Sequence, residues 1–279
     1  MGAPIRPATH ADVEPIREWS SQTFSWGDYV PDRLPTWIED PESEALVSVD
    51  DDDVPVAVAH VAMLSPSEGW LEGIRVRPDH RRSGRGSALN DALVEWATRR
   101  GARVVRLATE GDNEAARRQV ETLGYRLVST WVHGELIPAP AHRAPDQFRL
   151  RPAPGSDSEA AWLFWVASDL ARDARELIAL GWQWRTARPE DIGGAGEVLQ
   201  SAAGWVMVDQ PEPDWMRTLW MAATPDDILP LLDGLLDLAV ERAVTEIDVK
   251  LPSLGWTAEA LRRHGAEPEE MVVYSKAVG

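Results

Sequence analysis

Arg75-Val76-Arg77-Pro78-Asp79-His80-Arg81-Arg82-Ser83-Gly84-Arg85-Gly86-Ser87 is the stretch on which the reading of this chain turns. Strand-like residues precede it and a helical pattern follows, so it reads as a tight basic turn between a strand and a helix. Gly84 and Gly86 let the backbone turn sharply with no side chain in the way. A helix beginning near Ser87 directs its unpaired N–H groups, and the positive end of its dipole, back at that turn. Such a helix start suits an anion, best a phosphate or pyrophosphate. Arg75, Arg77, Arg81, Arg82 and Arg85 crowd this part of an otherwise acidic chain, and that local reversal of charge points to an anionic ligand.

Residues 70–76 form the strand that feeds the turn. After it, Ala88, Leu89, Ala92, Leu93, Trp96 and Ala97 recur at helical spacing over residues 87–100, and Gly101 supplies the stop. Residues 104–109 read as a strand, 113–123 as a helix closed by Gly124, and 125–132 as another strand. Upstream, residues 5–8 make a short strand, and Asp12 is placed to cap a helix carrying Val13, Ile16 and Trp19. A short helix is predicted over 31–39. Strands over 45–49 and 54–64 flank the acidic turn Asp50-Asp51-Asp52-Asp53. Alternating strands and helices predict an α/β (α+β) layered domain, with a central mixed, mostly antiparallel sheet flanked by helices.

The proline-rich segment 138–145 has no period and reads as part of a linker. Leu150-Arg151-Pro152-Ala153 then echoes Ile5-Arg6-Pro7-Ala8, and an acidic segment and a Trp-bearing helix follow in both places. Strands over 205–209, 218–223, 246–251 and 271–276 and helices over 227–243 and 257–264 repeat the earlier order. The expected organisation is a first domain over 1–137, a linker over 138–148 and a second domain over 149–279. A diverged duplication explains the echo; an unrelated domain with a chance Arg-Pro-Ala match is the alternative.

The chain has 279 residues, 44% of them hydrophobic, which is enough for one large domain or two ordinary ones. It contains no cysteine, which excludes disulfides, a thiol nucleophile and cysteine-bound metal. No His/Asp/Glu spacing suggests a metal, and no Gly-x-Ser-x-Gly suggests a hydrolase. No apolar run reaches the length of a membrane span, and no basic-then-apolar leader opens the chain, so a cytoplasmic protein is expected. A net charge of −18 argues against nucleic acid as a partner. It favours solubility first and attraction of cationic substrates second.

With these residues in place, the first half resembles the GCN5-related N-acetyltransferases, the GNAT family. Their acetyl-CoA loop follows a strand with the pattern Arg/Gln-x-x-Gly-x-Gly/Ala. Here that pattern is Arg81-Arg82-Ser83-Gly84-Arg85-Gly86, preceded by Val76 and Pro78. Asn113, Ala116 and Gly124-Tyr125 match the family's next helix. The resemblance implies two GNAT-like domains, the second degenerate. In the second copy, Thr224-Pro225-Asp226-Asp227-Ile228 stands where the loop belongs, with no glycine pair, no arginine and two carboxylates that would repel a pyrophosphate. Mycothiol synthases, tandem members of the family, have the opposite arrangement, with the C-terminal copy active.

The resemblance implies transfer of an acetyl group from acetyl-CoA to a primary amine of a small molecule, such as an amino acid or a cationic metabolite. A non-catalytic acyl-CoA-binding or interaction module is the rival reading, and a longer acyl group a third. Backbone N–H groups around Arg82, Ser83, Gly84, Arg85, Gly86 and Ser87 would hold the pyrophosphate. The strand edge at Ile74, Arg75 and Val76 would hold the pantetheine arm, and Asn113 would cap its helix and bond the cofactor. Glu72 is the leading catalytic base, on the alternation that would place it with Ile74 and Val76; His60 is the second candidate. The family's thiolate-protonating tyrosine is replaced by Val120, and Tyr125 is the nearest phenol. Trp26, Asp28 and Tyr29 lie where the family builds its acceptor pocket, Asp28 suited to an ammonium. A monomer or a homodimer is expected.

Overall fold

The computed structural model describes residues 4–21, 23, 27–194 and 196–279. The chain divides into two compact units that interleave in sequence. The first holds Met1–Leu107, Val120–Arg126 and Ser275–Gly279; the second holds Ala108–Gln119 and Leu127–Tyr274.

The first unit is built on strands β1 (Ile5–Pro7), β2 (Ser43–Val49), β3 (Pro55–Ser65), β4 (Glu68–Val76) and the start of β5 (Val104–Glu110), side by side in that order. The first four pair antiparallel, and β4 pairs with β5 in parallel. Helices α1 (Val13–Ser20) and α2 (Val30–Glu39) share an apolar cluster of Ile16, Val30, Leu34 and Trp37 with Val47, Val49 and Val58 of the sheet. Helix α3 (Arg85–Arg99) packs on β2, β3 and β4, burying Leu89, Leu93, Trp96 and Ala97 at the predicted period. The expected cap at Asp12 takes a different form. Its carboxylate accepts from Arg6 Nη1 (2.8 Å), Arg6 Nη2 (2.9 Å) and Thr9 N (2.7 Å), which ties β1 to the start of α1.

Two details of this unit position the site. The β3–β4 register runs Val58↔Arg75 and His60↔Glu72, so Gly73 and Ile74 together oppose Ala59 in a β-bulge. Gly73 has φ +69°, and a Cβ there would come within 2.8 Å of the Trp37 indole. The β4–β5 register runs from Glu68↔Val104 to Trp70↔Arg106, while β4 continues to Val76.

The second unit carries α4 (Glu114–Thr122, up to Gln119), β6 (Arg126–Leu136, from Leu127) and β7 (Arg151–Pro152). Helices α5 (Ser158–Val166) and α6 (Asp169–Ala174) and the hairpin β8 (Leu177–Ala179) and β9 (Trp184–Thr186) follow. It continues with β10 (Glu197–Ser201), β11 (Gly204–Glu212), β12 (Trp215–Ala222), α7 (Ile228–Glu241), β13 (Glu246–Pro252), α8 (Gly255–Arg263) and β14 (Glu269–Ala277, to Tyr274). Its sheet has the order β14-β6-β13-β12-β11-β10-β7. β6 lies antiparallel to β13, from Ile247↔Leu136 to Pro252↔Trp131. α7 contributes Leu231, Leu232, Leu235 and Ala239 to the core. The strand, 3₁₀ turn and helix at Arg151, Gly155–Asp157 and Ser158–Val166 repeat the element order of Arg6, His10–Asp12 and Val13–Ser20. Helix α6 and the β8–β9 hairpin are additions that the repeat did not predict. Among the described residues no helix is long and apolar enough to cross a membrane.

Tyr125 lies in the core of the first unit and its phenol donates to Asn90 Oδ1 (2.9 Å), itself on a fully buried residue. Tyr125→Phe leaves that oxygen without its donor, and a stability loss of about 1–3 kcal/mol is expected in chemical denaturation. Gly73→Ala forces a left-handed alanine against Trp37. It should cost about 1–3 kcal/mol, read as a lower denaturation midpoint at unchanged slope.

Candidate functional site

The basic turn is assembled from local geometry. After β4, Pro78–His80 forms a 3₁₀ turn, Arg82 takes φ +60° and Gly84 takes φ +83°. A Cβ on Gly84 would meet nothing within 4 Å, so glycine is required there by conformation and not by crowding. Gly84 is the N-cap of α3 and provides no side-chain cap; the first bond runs from Ala88 N to Gly84 O (3.0 Å). The N–H groups of Arg85, Gly86 and Ser87 therefore have no acceptor within the helix. Glycine backbone and an uncapped helix start fit a pyrophosphate.

The arginines divide into two groups. Arg77 donates to Asp79 Oδ1 (2.8 Å) and contacts His80 Nε2 (2.7 Å). Arg85 reaches back to Ser48 Oγ (2.7 Å) and the Val49 carbonyl (2.8 Å). Arg75 donates to Asp28 Oδ2 (2.7 Å). These three shape the turn and its strand. Arg81 and Arg82 are exposed, Arg81 donating to the Val76 carbonyl (3.3 Å). Arg81 also lines a groove with Pro78 and with Glu18, Trp19, Ser21 and Thr23.

A second cluster stands on the bulge. Two residues opposing one shift the alternation of β4, so Glu72 and Arg75 share a face with His60 and Val58. The simple alternation expected for Glu72, Ile74 and Val76 does not run through Gly73. Glu72 Oε1 lies 3.1 Å from His60 Nδ1. His60 is buried, and its ring stacks on Trp37 at 4.2 Å between centroids and 5° between planes. His60 Nε2 is buried with no partner among the described residues. The neutral tautomer with the proton on Nδ1 fits best, because it donates to Glu72 and leaves no buried N–H unmet.

Asp28 and Tyr29 enter this cluster from the start of α2. Asp28 Oδ1 accepts from Val30 N (3.0 Å), and its other oxygen takes Arg75. The Asp28 side chain has 0% exposure. The expected ammonium partner role does not fit a carboxylate already neutralised and enclosed; Asp28 instead holds Arg75. Tyr29 places its ring 5.3 Å from Arg75 Cζ and 6.2 Å, edge to face, from Trp37. Burial, and then the Glu72 charge, push its phenol up to about 12.

The remaining candidates lie elsewhere. Trp26 is outside the described residues. Burial raises the Tyr125 phenol above its usual range, and its bond to Asn90 makes it a core group. Asn113 Oδ1 accepts from Ala116 N (3.1 Å), the cap expected of it. Val120 is buried. Two contributors were missed in the sequence: Trp37, which looks like an ordinary helix residue, and Gly73. A glycine inside a strand pattern is a bulge signal that could have been read.

In the second unit Thr224 Oγ1 donates to Asp227 Oδ2 (2.5 Å) at the start of α7. The β12–β13 register ends at Arg217↔Asp248, and beyond it Trp131, Trp165, Trp220 and Lys250 line a small cavity. Lys250 Nζ bonds Asp248 Oδ1 (2.6 Å) and lies 4.1 Å from the Trp182 ring centre.

Residues 13–125 match the family model described as Acetyltransferase (GNAT) family. No curated protein matches the chain in sequence. Among solved structures, a GCN5-related N-acetyltransferase from Sphaerobacter thermophilus is similar at a TM-score of 0.66 and 18% identity, over 98% of this chain and 95% of that one. A tandem GNAT protein from the clavulanic acid biosynthesis pathway is similar at a TM-score of 0.60 and 12% identity, over 100% of this chain and 99% of that one. A GCN5-related N-acetyltransferase from Kribbella flavida is similar at 0.55 and 12% identity, over 99% of this chain and 72% of that one. The chain carries an acetyltransferase domain of the GNAT family over residues 13–125, and its fold is that of tandem GNAT proteins.

Proposed function

We propose that this protein transfers an acetyl group from acetyl-CoA to a primary amine of a small molecule, an amino acid or a cationic metabolite, and that residues of the first unit carry the chemistry. The single observation behind this reading is that one strand, β4, bears both halves of such a site. Its bulge presents Glu72, bonded to a buried histidine, and its end runs into the glycine turn and uncapped start of α3.

Acetyl-CoA supplies an activated thioester. The N–H groups of residues 82–87 hold its pyrophosphate, and the edge of β4 beyond Trp70 holds the pantetheine arm. A β4 N–H near the bulge polarises the carbonyl. Glu72 takes the amine's proton, and His60 orients it by the Nδ1–H bond; the stack on Trp37 keeps His60 in place. The second copy offers Asp227 and Asp226 where the turn would be, which supports a role in packing and not in acetyl-CoA binding. A second reading, a non-catalytic acyl-CoA-binding module, is favoured by the buried Val120 where family members place a tyrosine.

Acetyl-CoA at about 100 times its Kd should stabilise the wild type by roughly 2.7 kcal/mol. That rise in Tm should vanish in the double variant Gly84→Asp/Gly86→Asp. An amine screen with thiol detection then separates the two readings, since the binding module gives the shift without turnover. Glu72→Gln should lower kcat by about 100-fold with the acetyl-CoA shift intact; turnover equal to wild type would remove Glu72 from the mechanism.

A further inference from the structure

The pair of Asp28 and Arg75 lies inside the proposed site and has no part in the chemistry described so far. Arg75 shares a face of β4 with Glu72, because the bulge at Gly73 and Ile74 shifts the alternation between them. The two are three residues apart, about 10 Å or less along a strand, a distance that two flexible side chains can span. A guanidinium paired with a carboxylate favours its ionised form and makes it a poor base. Glu72 has His60 Nδ1 at 3.1 Å, on a ring that is neutral in the tautomer that fits. The Arg75 cation is drawn towards α2. Its Nε donates to Asp28 Oδ2 (2.7 Å), its Nη1 to the Ile74 carbonyl (3.2 Å), and its Cζ lies 5.3 Å from the Tyr29 ring centre. Asp28 is itself fixed: Oδ1 accepts from Val30 N (3.0 Å), and the side chain has 0% exposure. Burial first, and then the charges of Glu72, Arg75 and Asp28, bear on the Tyr29 phenol, so the three charges gather near one ring.

We propose that Asp28 is a positioning residue of this site: it holds the Arg75 guanidinium at the start of α2 and thereby keeps Glu72 basic enough to take the amine's proton. The proposal rests on the acetyltransferase reading above. Asp28 touches no reacting atom; it acts through Arg75 on Glu72. With Asp28 in place, the cation is matched by an enclosed carboxylate that takes no part in proton transfer. With Asp28 made neutral, the carboxylate left in the cluster for the cation is Glu72, and an ion pair there weakens it as a base. The neutral His60 ring orients the same carboxylate without adding charge. Among the described residues, the charged and titratable groups facing Glu72 are His60 from β3, Arg75 from its own strand, and Asp28 and Tyr29 from the start of α2. The aspartate that the sequence offers for an acceptor's ammonium thus serves the strength of the base.

The test is a double-mutant cycle of Asp28→Asn with Glu72→Gln, read in kcat and its pH profile with acetyl-CoA and an amine found in the screen. Alone, Asp28→Asn should lower kcat about 10-fold at neutral pH with the acetyl-CoA shift in Tm kept. It should also move the acidic limb of the kcat profile down by about one pH unit or more, the direction for a carboxylate beside a cation. In the Glu72→Gln background it should cost no further activity, because its effect passes through Glu72. Arg75→Gln, which removes the cation and leaves the Asp28 charge, should move the limb to higher pH. Asp28→Asn/Arg75→Gln, which replaces the pair by neutral groups of similar shape, should return the limb towards wild type and recover kcat to within a few-fold. A merely structural Asp28 gives a further loss in the Glu72→Gln background and an unmoved limb. Either result overturns the proposal, as does full activity of Asp28→Asn. Should that variant fail to fold, Arg75→Gln decides: a limb that rises supports the proposal and a limb that stays overturns it. In all these cases the acetyltransferase reading stands. A wild type that transfers acetyl to no amine, or Glu72→Gln with wild-type turnover, ends that reading and this proposal with it.

Discussion

The site depends on one extra residue in β4. A regular strand would put Glu72 and Arg75 on opposite faces, because they are three apart and side chains alternate. Gly73 and Ile74 facing the single residue Ala59 bring both onto the face of His60. From that follow the Glu72–His60 bond, the Arg75–Asp28 pair and the position of Tyr29. The bulge itself depends on glycine, since it lies at φ +69° under Trp37 and Val30. The same tryptophan stacks on His60, so one side chain both closes over the bulge and holds the histidine flat. The energetic scale fits: strain at a special φ costs about 1–3 kcal/mol, and a glycine avoids it.

Charge is handled locally in a chain with a net charge of −18. Five arginines around the turn suggest a broad cationic surface, but Arg75, Arg77 and Arg85 make bonds to the protein's own carboxylate, carbonyl and hydroxyl groups. In the proposed reading, attraction for an anion therefore falls to the backbone N–H groups at the start of α3, with the exposed Arg81 and Arg82 beside them. A helix terminus contributes roughly 0.3–1 kcal/mol for one charge at the surface and up to about 2 when partly buried. The start of α7 shows the reverse choice. Its N-cap Asp227 sits where a second anion would meet repulsion, and Thr224 holds that carboxylate. In the second unit the widening between β12 and β13 is lined by tryptophans and by Lys250, neutralised by Asp248. Removing one member of such a buried pair costs more than the pair contributes, so this is a feature of architecture and weak evidence of function.

Much of this was legible in the chain. The period of residues 87–100, the glycines at 84 and 86 and the order of strands and helices determined the turn, the helix behind it and the family resemblance, because each rests on contacts within a few residues. Asn113 as a cap was readable for the same reason. The duplicated opening at Arg6 and Arg151 was visible too, although the arginines differ in use: Arg6 binds Asp12, and Arg151 binds Asp146. The α5 helix carries apolar residues on all sides, with Leu163 and Phe164 exposed beside the buried Ala161 and Trp165. Periodicity therefore could not say which face was inward, nor predict α6 and the hairpin that follow.

Only the tertiary structure decided which side chains meet at the bulge. Asp28 and Arg75 lie 47 residues apart and meet as an enclosed pair, which no local pattern announces. His60 and Glu72 face each other through strand register, and a single bulge residue controls who faces whom. Register is a property of two strands and their turn, and one residue of slip exchanges the faces. The sequence by itself thus determined the fold and the glycine turn before α3, whose physics is local. The cluster of His60, Glu72, Arg75 and Asp28 was decided by packing, because its members come from β3, β4 and the start of α2 and meet only when the chain is folded.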